Sequence, residues 1–217
     1  METINPITAK IIKTAEDKDT IRKIANKTGF AYSAVYRWIK ELNKLGILKL
    51  ERKGNKTLIT IQHNEIYINF KNLIEKIEEY EKDKKFWAFI KNTKLRIRLG
   101  KETSAVIWTK GPYITGDFYN KIYHVDVVKQ DFKALCKELR KYNINLSTDK
   151  QNITTKPSVI ITTKNFKTEK TQNLSLTPLK EVIKWCRKLK LEPILEQLSI
   201  IYKIPIKEKY SEVSTNV

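Results

Sequence analysis

The stretch AVIWTKGPYITGDFYNKIYHVDVV, Ala105 to Val128, gathers the side chains best suited to chemistry in a 217-residue chain that has two histidines and two cysteines. His124 and Asp126 are one residue apart, so on a strand both would lie on one face of a sheet. Carboxylates placed in that way hold Mg²⁺ for phosphoryl chemistry, but two-metal chemistry needs at least two of them converging. A lone Asp126 beside an imidazole would hold Mg²⁺ poorly. Asp117, seven residues before His124 and across an expected turn, reads as half of an incidental surface pair rather than an acid–base couple. Cys136 and Cys186 lack CxxC spacing, and with His63 and His124 they make no zinc set, so both read as reduced and structural. The sequence contains no Gly-rich phosphate loop, nucleophile elbow or dinucleotide fingerprint. No catalytic residue, cofactor or metal is assigned from it.

The elements that must position these residues come from periodicity. KLRIRL alternates charged and aliphatic residues, while SAVIW, KIYHVDVV and SVIITT are short apolar runs, and all four read as strands. Asp131 to Tyr142 reads as an amphipathic helix with Phe132, Leu135 and Leu139 inward. Thr177, with Pro178 at the first helical position, opens a helix through Leu189, and Pro193 opens another through Tyr202. Residues 91–206 are therefore expected to form a mixed α/β domain. Lys207 to Val217 lacks periodicity and reads as a mobile tail.

The Ala105 to Val128 stretch is similar to the signature of the nucleotidyltransferase superfamily, in which a strand, a small-residue turn and a loop lead to a strand bearing two carboxylates. Here Gly111-Pro112 stands at the turn, where Pro112 removes an N–H that could meet phosphate. His124 replaces the first carboxylate, and SVIITT supplies no third one. The resemblance implies a degenerate nucleotidyltransferase-like fold without its catalysis. The plain alternative is a hairpin turning at Gly111-Pro112.

Charge points to binding rather than reaction. Lys and Arg outnumber Asp and Glu by 43 to 24, a formal charge of +19, which favours a polyanionic partner. No apolar run approaches the roughly 20 residues that span a bilayer, and METINPITAK lacks a signal-peptide core. The expectation is a cytoplasmic protein with no membrane partner. Abundant Lys, Ile and Glu with few Gly, Met and Cys matches heat-adapted, archaeal-like usage, although nucleotide bias gives the same signature.

The first sixty residues carry much of the basic charge. Ile7 to Ala15 reads as a helix opened by Pro6, and Thr20 to Lys27 as a second, with Gly29 supplying the turn after it. In SAVYRWIKELNKLGIL, Val35, Trp38, Ile39, Leu42 and Leu45 recur at helical spacing; Ser33 reads as the N-cap and Gly46 as the stop. ILKLERKGNKTLITI then reads as a two-stranded hairpin with a basic tip.

Helix, helix, turn, helix and basic hairpin, over about residues 6–62, resemble the winged helix-turn-helix family of DNA-binding domains. Ala25, Gly29 and Val35 have the small-residue, turn-glycine and buried-aliphatic spacing of its core. The resemblance implies that the third helix lies in a major groove, with Tyr32, Ser33, Ala34, Tyr36, Arg37, Lys40 and Lys44 toward double-stranded DNA. Arg52, Lys53 and Lys56 on the wing would approach phosphates. Residues 1–62 hold 13 Lys or Arg against 6 Asp or Glu, in keeping with that partner. A protein-binding module with a solvated charged face is the competing reading.

Between the two regions, Ile66, Phe70, Leu73, Ile77 and Tyr80 recur at steps of four and three, a heptad seam on a nearly neutral segment. The seam is expected either to form a homodimer or to pack on the protein's own second domain. The chain is thus read as an α+β protein. Residues 1–63 form a winged helix-turn-helix domain, 64–90 a connecting and dimerisation helix, and 91–206 the C-terminal domain. The expected function is transcriptional regulation by sequence-specific DNA binding, with an unknown effector or protein partner at the second domain. The rivals are a nucleic-acid-acting enzyme delivered by the winged helix, in which Asp117 and Asp126 would act, and an antitoxin-type interaction protein.

Overall fold

The computed structural model describes residues 5–111, 114–149 and 156–205. The proposed tail beyond Lys207 and the turn residue Pro112 lie outside them. The fold is α+β, and the chain divides into two compact units, Met1–Tyr80 and Glu81–Val217.

In the first unit, α1 (Pro6–Thr14) begins with proline at its first position, where the missing N–H costs nothing, and the Asn5 side chain accepts a hydrogen bond from the Ile7 N–H at 2.9 Å. α2 (Ile21–Thr28) is capped by Thr20, whose hydroxyl accepts from the Lys23 N–H, and ends at Gly29 with φ 73°. That left-handed turn is one glycine adopts without strain. α3 (Tyr32–Lys44) follows, and then a hairpin of β1 (Leu48–Lys53) and β2 (Lys56–Ile61). Ile11, Ile24, Val35, Ile39, Leu42, Ile47 and Ile59 are fully buried in one core.

Two expectations for α3 are corrected. The helix starts at Tyr32, with Ala31 at the N-cap and no side-chain cap, so Ser33 sits inside the first turn. Phe30 and Val35 both belong to the core and occupy the two positions of a hydrophobic staple, which anchors the entry of the helix through apolar packing instead of a hydroxyl. Leu45, expected inward, is the C-cap residue and is 55 % exposed, because the helix has ended where the spacing would have turned it to the core.

α4 (Glu65–Asn92) is a single helix of 28 residues. Its Tyr67 and Ile74 are buried in the core of the first unit, and its Phe86 and Ile90 in that of the second.

The second unit is built on a six-stranded sheet. Its elements in chain order are β3 (Ile97–Leu99), α5 (Lys101–Trp108), α6 (Gly116–Tyr119), β4 (Ile122–Val127), α7 (Phe132–Lys141), β5 (Asn145–Ser147), β6 (Ser158–Thr163), β7 (Glu169–Thr171), β8 (Leu174–Leu176), α8 (Leu179–Lys188) and α9 (Glu192–Tyr202). The strand order is β5-β6-β4-β3-β8-β7, with β4 parallel to β6 and antiparallel to β3. Tyr123, Val125 and Val127 enter the core, which leaves His124 and Asp126 together on the other face by the period of two.

SAVIW, expected as a strand, is the greater part of α5. Thr103, Ser104, Ala105, Val106 and Trp108 are all buried, and a short helix enclosed on most sides shows the same unbroken apolar run as a central strand. The first strand of the nucleotidyltransferase-like pattern is therefore a helix. Pro178 is the N-cap of α8 rather than its first helical residue, because the Thr177 N–H and hydroxyl both donate to the Leu99 carbonyl and hold Thr177 against β3.

Candidate nucleic-acid interface

Burying Val35, Ile39 and Leu42 turns the opposite side of α3 outward. Tyr32, Ser33, Arg37, Lys40 and Lys44 are exposed, while Ala34 and Tyr36 are half-buried. The rings of Tyr32 and Tyr36, one helical turn apart, are parallel within 7° with centroids 6.0 Å apart. The Lys40 ammonium lies 4.6 Å from the Tyr36 ring centre, a cation–π contact that orders the charge on the helix surface. The Arg37 guanidinium lies over the ring of the half-buried Trp38, 6.0 Å from its centre. Lys44 differs from these: it is paired with Glu41 at 2.8 Å, so part of its charge is spent within the helix.

The hairpin places Arg52, Lys53 and Lys56 in solvent around Gly54 and Asn55, with Lys53 directly opposite Lys56 in the register. Between α2 and the hairpin lies an open groove of about 720 Å³. Arg22, Asn26, Phe30, Tyr32, Asn55 and Lys56 line it. Arg22 and Asn26 were not singled out in the sequence, since they become neighbours of the hairpin tip only through the fold.

Asp19, another residue not singled out, fixes the loop that joins α1 and α2 to the hairpin. Its carboxylate is buried, accepts from the Glu16 N–H at 3.0 Å and pairs with Lys23 at 2.6 Å and Lys27 at 2.7 Å. Its carbonyl accepts from the Ile59 N–H of β2. Burial acts to raise its pKa, but the hydrogen bonds from Lys23, Lys27 and Glu16 outweigh it and hold the carboxyl below its ordinary value.

The heptad positions of α4 divide unevenly. Ile66, Leu73 and Tyr80 are 53 %, 47 % and 59 % exposed, whereas Phe70 and Ile77 are half-buried. The residues that α4 buries in the first unit, Tyr67 and Ile74, lie one position beyond Ile66 and Leu73. The apolar seam thus runs beside the packed face.

In the second unit, Asp126 lies inside the sheet rather than open to a metal or solvent. It is buried and accepts from Arg98 Nε at 2.8 Å, and Lys164 lies 2.9 Å from the same oxygen. Arg98, also buried, donates further to the Lys167 carbonyl and to Glu181 and stacks on Phe166. A carboxylate so engaged is part of the sheet's architecture. Asp117 and His124, read as an incidental surface pair, are joined at 3.0 Å, and His124 is buried against α5 and α6. Burial pushes the imidazole below its ordinary value, an effect that the Asp117 hydrogen bond partly offsets. Sequence spacing gave no sign of this, because the short helix α6 brings Asp117 back over β4.

No family model and no curated protein matches the chain. Among solved structures, it is similar in part to Sso10a-2, a DNA-binding protein from Sulfolobus solfataricus, with 19 % identity over 36 % of this chain and 80 % of that one and a TM-score of 0.33. Among the described residues no helix is long and apolar enough to cross a membrane.

Proposed function

We propose that residues 6–62 are a winged helix-turn-helix that binds double-stranded DNA with sequence preference, and that the protein regulates transcription by binding rather than by a reaction. The observation that carries this reading is the outward face of α3, where Tyr36, Arg37 and Lys40 form an ordered basic and aromatic strip on a helix whose other side is locked in the core. Arg37 and Lys40 reach base edges in the major groove, and Arg52, Lys53 and Lys56 contact phosphates from the wing. The exposed Ile66, Leu73 and Tyr80 support a homodimer through α4, which presents two reading helices to a symmetric site. Selection of bound fragments from genomic DNA tests both parts. A shared inverted repeat is the expected result, and recovery of fragments without any shared sequence overturns the sequence-specific reading.

A further inference from the structure

We infer that Glu102, Asp117 and His124 form a binding site for one divalent transition-metal ion of the Zn²⁺ class. Three elements bring these side chains together: Glu102 stands in the first turn of α5, Asp117 in the first turn of α6, and His124 in β4. One ligand atom from each lies within 4.8 Å of the others. The 3.0 Å between His124 Nε2 and Asp117 Oδ2 is the separation of two ligands at about 2.1 Å from one ion with an angle of about 90° between them, and a small spreading of the Asp117 side chain gives the tetrahedral angle.

The imidazole is preorganised. Its side chain is 4 % exposed, its backbone N–H donates to the Thr103 hydroxyl at 2.8 Å, and its carbonyl accepts from the Gly100 N–H at 2.9 Å. Thr103 directly follows Glu102, so one turn of α5 both fixes His124 and supplies the second carboxylate. Asp117 and Glu102 are only half-buried, which leaves one side of the cluster open for ion entry and for water ligands. Two carboxylates balance the charge of a divalent ion, and in a chain of formal charge +19 their convergence runs against the general composition. The neighbouring Lys101 charge opposes a cation, but its side chain is exposed, where solvent screens it.

The donor set selects the metal. One imidazole nitrogen with two carboxylates suits Zn²⁺, or Co²⁺ as its spectroscopic substitute, over Mg²⁺ and Ca²⁺, which prefer oxygen alone. His124 Nδ1 is buried with no hydrogen-bond partner among the described residues, so no acceptor supports the ring from behind. Second-shell acceptors of that kind are typically worth about 10–100-fold in affinity, so the site binds more weakly than one whose imidazole is supported from behind.

The experiment is calorimetric titration of the untagged full chain with Zn²⁺ near pH 7, repeated with Co²⁺ while following visible absorption. One equivalent should bind, His63→Ala should bind unchanged, and Glu102→Gln and Asp117→Asn should each weaken binding by about tenfold or more and lose the Co²⁺ band. Both substitutions are at half-buried positions, and far-UV circular dichroism and melting curves establish that the variants remain folded. Absence of one-to-one saturation at millimolar Zn²⁺, binding that disappears with His63→Ala, or unchanged affinity in both folded carboxylate variants would each overturn the assignment.

Discussion

Arg98 and Asp126 face each other across β3 and β4, with the guanidinium Nε 2.8 Å from the carboxylate and both side chains almost wholly withdrawn from water. Such a pair contributes modestly in net terms, because desolvation offsets attraction, but removing the Asp126 charge leaves the buried Arg98 with only the half-exposed Glu181 and the Lys167 carbonyl as partners. Asp126→Asn should therefore destabilise the second unit by about 3–5 kcal/mol, measured by urea unfolding. Gly100→Ala reports on the same place: its added carbon would meet the Asp126 carboxylate at 3.1 Å, and a carboxylate pinned by Arg98 and Lys164 has little room to yield. A loss of about 1–3 kcal/mol is expected.

On the proposed DNA-binding face, Arg37→Ala should cost about 1–3 kcal/mol of affinity and relax sequence preference, while Lys53→Ala should weaken all sequences alike and flatten the dependence of log K on log salt. Fluorescence anisotropy with matched and scrambled duplexes at several salt concentrations separates the two effects. Retention of full affinity after Arg37→Ala and Lys40→Ala together counts against the assignment of this face.

Asp19 predicts a pH dependence confined to the acid side. Its carboxyl lies below the ordinary value of 3.8 in the folded state and takes that ordinary value when unfolded, so the unfolded chain takes up the proton first as pH falls. The stabilisation is fully present above that unfolded value, and it is lost as pH falls from about 4 through the folded one. Asp19→Asn should lower stability at pH 6 and should show a shallower decline between about pH 5 and 3 than the wild type. Urea midpoints across that range provide the comparison.

If the α4 seam joins two copies, Leu73→Asp with Ile77→Asp should convert the protein to a monomer in analytical ultracentrifugation at micromolar concentration and should weaken binding to a two-half-site operator more than to a single half-site. A wild-type chain that sediments as a monomer would remove the dimer from the proposal.

The helices of the first unit were legible because their signals are local. Asn5-Pro6, Thr20 and Gly29 sit where caps and stops belong, and Ile11, Ile24, Val35 and Ile39 mark the inward stripe. In the second unit the local signals mislead. α5 is enclosed, so its apolar run carries no helical period. The β7–β8 hairpin turns through Gln172-Asn173, both at positive φ, a pair that lacks the glycine by which such turns are usually recognised. The clusters around Asp126 and His124 were illegible for another reason: Arg98 lies 28 residues from Asp126 and Glu102 lies 22 from His124, and only strand pairing and helix packing make them neighbours.

Lys53 and Lys56 close the β1–β2 register as directly opposed like charges, a pairing that disfavours its own geometry in the free protein. The hairpin tip is accordingly a frustrated contact held by the ladder behind it rather than by its own side chains. A polyanion lying against both ammonium groups would remove that repulsion, so binding and hairpin closure are thermodynamically linked. Amide hydrogen exchange in the free chain should be fastest at this end of the ladder, and the protection gained on adding a polyanion should be greatest there, declining along the strands toward Leu48 and Ile61.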